Sequence, residues 1–375
     1  MTAELARSQR SILLIGPRQT GKSTLIRSLS PDLELNFADE KTFLDFAQNP
    51  SELPDRLRKA RPKSVFIDEI QRLPRTLNTV QSILDTKPSP RFYLTGSSAR
   101  KLRRGRANLL PGRVLSYQLG PLTSKECLYE MEAEDVLGYG SLPGIYLEPD
   151  RKTRKAILLT YASTYLKEEI QAEALTRNLE GFARFLKVAA LYSTKTLDFS
   201  KLANLAQVPR QSAVRYFEIL EDTLLIHRVE NFSRGVGVRQ TQHPRYYFFD
   251  TGVLNAILRN FIPSEDRIGP LFENHIYVQL LNSASSQGEA VEISFFRTEG
   301  GTEVDFIVER ENEVFAIEAK AKSVIHSEDL RGLRQFKMHT KKKHQPILFY
   351  LGQAEKEVDG IWIVPWQTGL KKLGW

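Results

Sequence analysis

Eight consecutive residues, Gly16-Pro17-Arg18-Gln19-Thr20-Gly21-Lys22-Ser23, have what a polyphosphate needs around it: a backbone free to curl, a cation and a hydroxyl. The glycines let main-chain NH groups turn inward, and the start of a following helix adds partial positive charge. Lys22 is placed to meet the β- and γ-phosphates of ATP, and the Ser23 hydroxyl to ligate Mg2+. Such a loop requires a strand before it and a helix after it. The chain supplies both, in the apolar run Ile12-Leu13-Leu14-Ile15 and in Thr24-Leu25-Ile26-Arg27-Ser28-Leu29. Residues Gly16 to Ser23, with Thr24, are the expected nucleotide contacts.

A second element complements the first. Val65-Phe66-Ile67 reads as a buried parallel strand and ends in Asp68-Glu69. Asp68 is the expected partner of the metal and nucleotide, and Glu69 the acid that orients and polarises the attacking water. A third apolar run, Arg91-Phe92-Tyr93-Leu94, leads into Thr95-Gly96-Ser97-Ser98. A hydroxyl there can sense the γ-phosphate, although Ser, Thr and Gly also end strands for ordinary turn reasons.

These motifs, together with Leu-Pro-Gly-Arg at 110 to 113, resemble a prokaryotic family of AAA-type ATPases that carry a C-terminal domain of unknown function. Gly140-Ser141-Leu142-Pro143-Gly144, Tyr247-Phe248-Phe249-Asp250-Thr251-Gly252 and Leu271-Phe272-Glu273-Asn274 resemble further stretches of that family, so the resemblance covers most of the chain. It implies a homo-oligomer in which an arginine completes a neighbouring subunit's site. Arg113 is the first candidate for that finger, with Arg103, Arg104 and Arg106 close by.

The elements that must position these groups follow a simple plan. From Ser11 to about Val114 strand and helix patterns alternate, the signature of an α/β fold with a parallel sheet covered by helices. After Gly120-Pro121 the pattern turns helical, and Ile157, Leu158, Tyr161, Tyr165 and Leu166 recur at the spacing of a packed helix face. Ser200 to Ala206, a turn at Gln207-Val208-Pro209, and Gln211 to Leu220 look like the helix-turn-helix of a winged-helix domain, with Thr223 to Val229 as its first wing strand. Arg210, Gln211, Ser212 and Arg215 on the second helix are candidates to reach DNA phosphates or base edges.

Nearer the C-terminus, Glu303-Val304-Asp305-Phe306-Ile307-Val308 and Val314-Phe315-Ala316-Ile317-Glu318-Ala319-Lys320 flank a polar turn and read as a hairpin. Alternation puts Glu318 and Lys320 on one face, with Asp305 on the partner strand. Two carboxylates and a lysine can hold a divalent metal, activate a water and steady charge on a phosphate. The competing reading is an exposed strand face with a Lys/Glu pair of little energetic weight. The pattern resembles restriction-endonuclease-like nucleases, in which an acid precedes Glu-x-Lys on the next strand, and Glu273 on the preceding helix matches a further acid of many members. Val304 stands where such nucleases often have proline. The resemblance implies Glu273, Asp305 and Glu318 as metal ligands, with Asp305, Glu318 and Lys320 as catalytic groups.

The expected domains are an AAA-type ATPase at 1–150, a helical and winged-helix segment at 151–262, and a restriction-endonuclease-like domain at 263–375. Of the 375 residues, 41% are hydrophobic and 26% charged, a globular balance. There is no apolar stretch long enough for a bilayer and no uninterrupted apolar signal core, so a membrane protein is not expected. Cys127 is the single cysteine, which excludes an intrachain disulfide and fits a cytoplasmic setting. A net charge of +8 favours an anionic partner such as DNA. Two functions fit this pattern: an ATP-dependent, DNA-acting protein with a metal-dependent nuclease domain, or a nucleotide-controlled binding switch with an inactive nuclease fold.

Overall fold

The computed structural model describes residues 2–86, 88–97, 110, 112–165, 178–233, 241 and 243–375. The alternative finger residues Arg103, Arg104 and Arg106, and also Ser98 and Leu166, lie outside this set. The chain forms two compact units. The first is Met1–Gly120 with the short stretches Asp222–Leu224 and Ser285–Gly288, and the second is the remainder from Pro121.

In the first unit, β1 (Ser11–Ile15), β2 (Leu33–Asn36), β3 (Ser64–Asp68), β4 (Arg91–Gly96) and β5 (Val114–Gln118) form one sheet in the order β2-β3-β4-β1-β5. Every neighbouring pair is parallel. Side chains alternate between two cores. Leu13, Val65, Ile67, Phe92 and Leu94 enter one cluster, while Ile12, Leu14, Phe66 and Tyr93 enter another on the opposite face. That double burial is why these strands read as continuous apolar runs. Gly16 leaves β1 where a Cβ would stand 2.1 Å from the Leu119 carbonyl oxygen, so only glycine fits there.

The second unit contains an antiparallel ribbon, β6 (Ile226–Val229) with β7 (Arg245–Phe248). It also contains a six-stranded mixed sheet of β8 (Val291–Arg297), β9 (Glu303–Arg310), β10 (Glu313–Lys320), β11 (Gln345–Tyr350), β12 (Lys356–Val358) and β13 (Ile361–Pro365), ordered β12-β13-β11-β10-β9-β8. Strands β8, β9 and β10 are antiparallel neighbours, and β11 then joins β10 in parallel. The connection from β10 to β11 carries the helix Arg331–His339. One apolar cluster runs from Met131 to Trp375, so the segments on either side of residue 262 share a core.

Residues 121–150, assigned to the first domain on sequence grounds, pack in the second unit. The reason is a set of distant polar contacts. Asp250 accepts from Ser141 N at 2.8 Å and caps the helix Thr251–Leu258 by accepting from Val253 N at 3.0 Å. Asn255 Nδ2 donates to the carbonyls of Leu137 and Gly138, each at 2.8 Å. Burial pushes the Asp250 carboxyl up to about 6, against the hydrogen bonds it accepts. Leu158 and Tyr161 are buried as the helical spacing requires. No helix among the described residues is long and apolar enough to cross a membrane.

Candidate functional site

The loop after β1 lies beside the ends of β4 and β3, so the expected nucleotide residues converge at the carboxyl edge of the parallel sheet, the usual ligand edge of α/β folds. Gly21 adopts a left-handed conformation (φ 89°) at the entry to the helix Lys22–Arg27. Lys22 is buried, and its Nζ donates to the carbonyls of Gly16 at 2.9 Å and Pro17 at 2.7 Å. Thr20 Oγ1 closes the loop on Pro17 O at 2.9 Å. Gly16, Pro17 and Thr20 are buried, Arg18 is half-buried, and Gln19 and Thr24 are exposed.

Ser23 Oγ donates to Asp68 Oδ1 at 2.9 Å, and Thr95 Oγ1 donates to the same oxygen. This places the Ser23 hydroxyl and the Asp68 carboxylate together. A hydroxyl beside a buried carboxylate is a hard-oxygen pair that suits Mg2+, which is usually held by one or two protein oxygens plus phosphates and water. Glu69 follows Asp68 in a left-handed conformation (φ 56°), and its NH donates to Thr95 Oγ1 at 3.3 Å. Its carboxylate accepts from Gln71 Nε2, which also donates to Ser97 Oγ at 2.9 Å.

Gln71 went unassigned in the sequence. It stands two residues past the acid, on the 3-10 turn Ile70–Arg72, and is buried. A large amide at the mouth of a strand is the one sign the sequence offered. Arg113 forms an exposed bidentate pair with Asp85, Nε to Oδ1 at 2.6 Å and Nη2 to Oδ2 at 3.0 Å. That pair holds the Asp85 carboxyl below its ordinary range.

The C-terminal candidates also meet. Glu273, on the helix Glu265–Ser286, and Asp305, on β9, lie beside Arg245, the first residue of β7, while Glu318 and Lys320, on β10, pair with each other near Asp305. Arg245 Nη1 donates to Glu273 Oε1 at 3.3 Å and stands 3.8 Å from Asp305 Oδ1, while Nη2 bonds Glu303. Tyr247 OH donates to the same Glu273 oxygen at 2.8 Å. Asp305 Oδ2 accepts from Ala319 N at 3.0 Å, and Lys320 Nζ from 2.5 Å donates to Glu318 Oε1. Glu318 Oε2 is buried with no hydrogen-bond partner among the described residues.

The metal set expected at Glu273, Asp305 and Glu318 is not assembled as such. Among the described residues no three His, Cys, Asp or Glu side chains are placed to hold a metal ion. One oxygen of each acid is instead engaged within the protein: Glu273 Oε1 by a guanidinium and a phenol, Asp305 Oδ2 by a main-chain NH, and Glu318 Oε1 by an ammonium. Burial, then the neighbouring Asp305, pushes Glu273 and Glu318 each up to about 8, opposed by Arg245 and Lys320 respectively. Burial works against the Lys320 charge, but Glu318 and Asp305 outweigh it and raise the ammonium above its ordinary range. Arg245 was missed in the sequence. Its signal was a lone cation opening an otherwise aromatic strand, Arg245-Tyr246-Tyr247-Phe248, all four residues of which are buried.

Comparison with known proteins matches three segments of the chain. Residues 8–128 match the family described as AAA domain. Residues 131–263 and 268–368 match two domains of unknown function, DUF8612 and DUF4143. An uncharacterized protein of Mycobacterium tuberculosis is 26% identical over 325 residues, covering 83% of this chain and 70% of the relative. An uncharacterized protein of Methanocaldococcus jannaschii is 24% identical over 333 residues, covering 80% and 72%. Among solved structures, a STAND-class signal transduction ATPase with a tetratricopeptide repeat sensor from Pyrococcus horikoshii is 15% identical, spans 75% of this chain and 44% of its own, and superposes at a TM-score of 0.24. A score that low adds nothing to the assignment. The family match and the loop geometry together make residues 8–128 an AAA-type ATPase domain, joined to two segments of unassigned function.

Proposed function

We propose that the chain is an ATP-hydrolysing switch with three modules: the AAA-type unit, a winged-helix module up to about residue 262, and a nuclease-like module from 263 that engages DNA without cutting it. The observation that carries the reading is the Ser23–Asp68 hydrogen bond at the phosphate loop, with Glu69 next in sequence. In this mechanism Lys22 exchanges the carbonyls of Gly16 and Pro17 for the phosphates of ATP, and the loop NH groups bind the same phosphates. Ser23 and Asp68 would hold Mg2+, which neutralises phosphate charge. Glu69 orients a water and takes its proton as the γ-phosphoryl transfers, and Gln71 fixes the direction of that carboxylate. Homo-oligomerisation would bring an arginine to a neighbour's ATP, and Arg113 is the described residue best placed in sequence for that role.

DNA engagement is supported by the helices Phe199–Ala206 and Arg210–Asp222 packed before the β6–β7 ribbon, the order of a winged helix. Arg210, Gln211 and Arg215 are exposed on the second helix, with Ser212 half-buried. The antiparallel β8-β9-β10 followed by a helix and parallel β11 supports the nuclease-like fold. The same strand order, with Asp305, Glu318 and Lys320 on one face, also favours metal-dependent cleavage, but Arg245 among the acids favours the switch. A paired assay separates the readings: ATP turnover and DNA cleavage on the same preparation, with Mg2+ or Mn2+. ATP-dependent phosphate release without cleavage is expected. Cleavage lost in Asp305→Ala would restore the nuclease reading, and absence of ATP binding would overturn the switch.

A further inference from the structure

The acid cluster of the second unit is arranged about a cation that the chain itself supplies. The Arg245 guanidinium bonds Glu273 and Glu303 and stands 3.8 Å from Asp305. Its side chain is 4% exposed, lies over the Phe295 ring with 4.8 Å to the ring centroid, and sits on a strand paired with Val229 on one side and bridged to Thr196. Swinging this side chain away would break the ring stacking and leave two carboxylates without their cation, which is costly for groups this deep. Arginine also keeps its charge under all conditions in which the protein is folded, so it cannot step aside by losing a proton. A divalent ion on the facing oxygens of Glu273 and Asp305 would stand within about 4 Å of that charge, where like charges repel strongly in a buried setting.

We propose that Arg245 is the resident cation of this cluster, taking the place a divalent metal would need, so that the cluster is a fixed clamp between the β6–β7 ribbon and the six-stranded sheet. The inference rests on reading the sheet as nuclease-like and deepens it, because the acids are then retained for what they hold. Arg245 lies in the segment matching one domain of unknown function, and Glu273, Glu303 and Asp305 lie in the segment matching the other. The clamp therefore ties the helix bearing Arg210 and Arg215 to the sheet through buried charge.

The test is a calorimetric Mn2+ titration of the full chain without nucleotide, comparing the parent with Asp305→Asn, Arg245→Gln and the double variant. The parent and Asp305→Asn should give the same isotherm, with no submillimolar site that depends on Asp305. Arg245→Gln should gain such a site and a Mn2+-dependent rise in unfolding midpoint of several degrees, and both should vanish in the double variant. A submillimolar parent site lost in Asp305→Asn would overturn the proposal, as would a folded Arg245→Gln chain that gains none. Should Arg245→Gln not fold, the comparison of parent with Asp305→Asn decides alone. ATP turnover, measured separately, reports on the first unit, so a failure of the ATPase reading is distinguishable from a failure of this one.

Discussion

Each unit brings a basic side chain and carboxylates to one sheet edge, but the cations rest on different partners. In the first unit Lys22 bonds two main-chain carbonyls, while among the described residues Asp68 is met by the hydroxyls of Ser23 and Thr95 and, at 3.9 Å, by the exposed Arg27. In the second unit Arg245 is held by the half-buried Glu273 and Glu303, beside the buried Asp305, and Lys320 by the buried Glu318. A neutral carbonyl gives up an ammonium readily when a polyphosphate arrives, because the new partner is charged and offers several oxygens. A buried carboxylate does not, since losing its cation leaves an uncompensated charge at a cost of about 3–5 kcal/mol. The same residue types thus make an exchangeable site in one unit and a locked one in the other.

The comparison breaks first if the exchangeable site does not turn over ATP. Glu69→Gln should keep ATP affinity and lower turnover by roughly 100- to 1,000-fold, because the amide keeps the shape but cannot take the proton. Steady-state phosphate release beside a binding titration reads both, and parent-like turnover would remove Glu69 from the role. Lys22→Ala should weaken ATP binding by about 100-fold or more, the loss of charged hydrogen bonds to phosphate. Unchanged affinity would mean the lysine never leaves its carbonyls.

The locked side of the comparison is sharpened by pH. His275, on the same helix as Glu273, is 2% exposed, and burial pushes it down to about 3. The unfolded chain takes up a proton near pH 6.5 that the folded chain refuses, so this stability is full above about pH 6.5 and is lost as pH falls toward 3. His275→Phe should remove up to about 3 kcal/mol of acid sensitivity between pH 6.5 and 4, read from denaturant midpoints across that range. An unchanged slope would show that His275 accepts protons while folded. The smallest effect is expected at the exposed face. Replacing Arg210 and Arg215 together by alanine should weaken duplex DNA binding by roughly 10-fold and flatten its salt dependence by up to about two phosphate contacts. Equal affinity and slope in a titration would shift the DNA reading away from this helix.

What the sequence alone determined is local. The curl of the phosphate loop, the strand ending at Asp68-Glu69 and the alternation that puts Glu318 and Lys320 on one face all depend on residue conformations over a few positions. The observed β9–β10 register pairs Phe306 with Ile317 and Val308 with Phe315, as that alternation requires. What the tertiary structure decided lies across long separations. Residues 121–150 join the second unit because Asp250, Thr251 and Asn255 bind their backbone from more than 100 positions away. Gln71 meets Ser97 because β3 and β4 are neighbours, and Arg245 meets Glu303 58 residues on because the ribbon packs against the sheet. Motif spacing names an acid as a candidate ligand, but which cation it faces is set by packing, since a buried carboxylate takes the nearest charge the fold delivers.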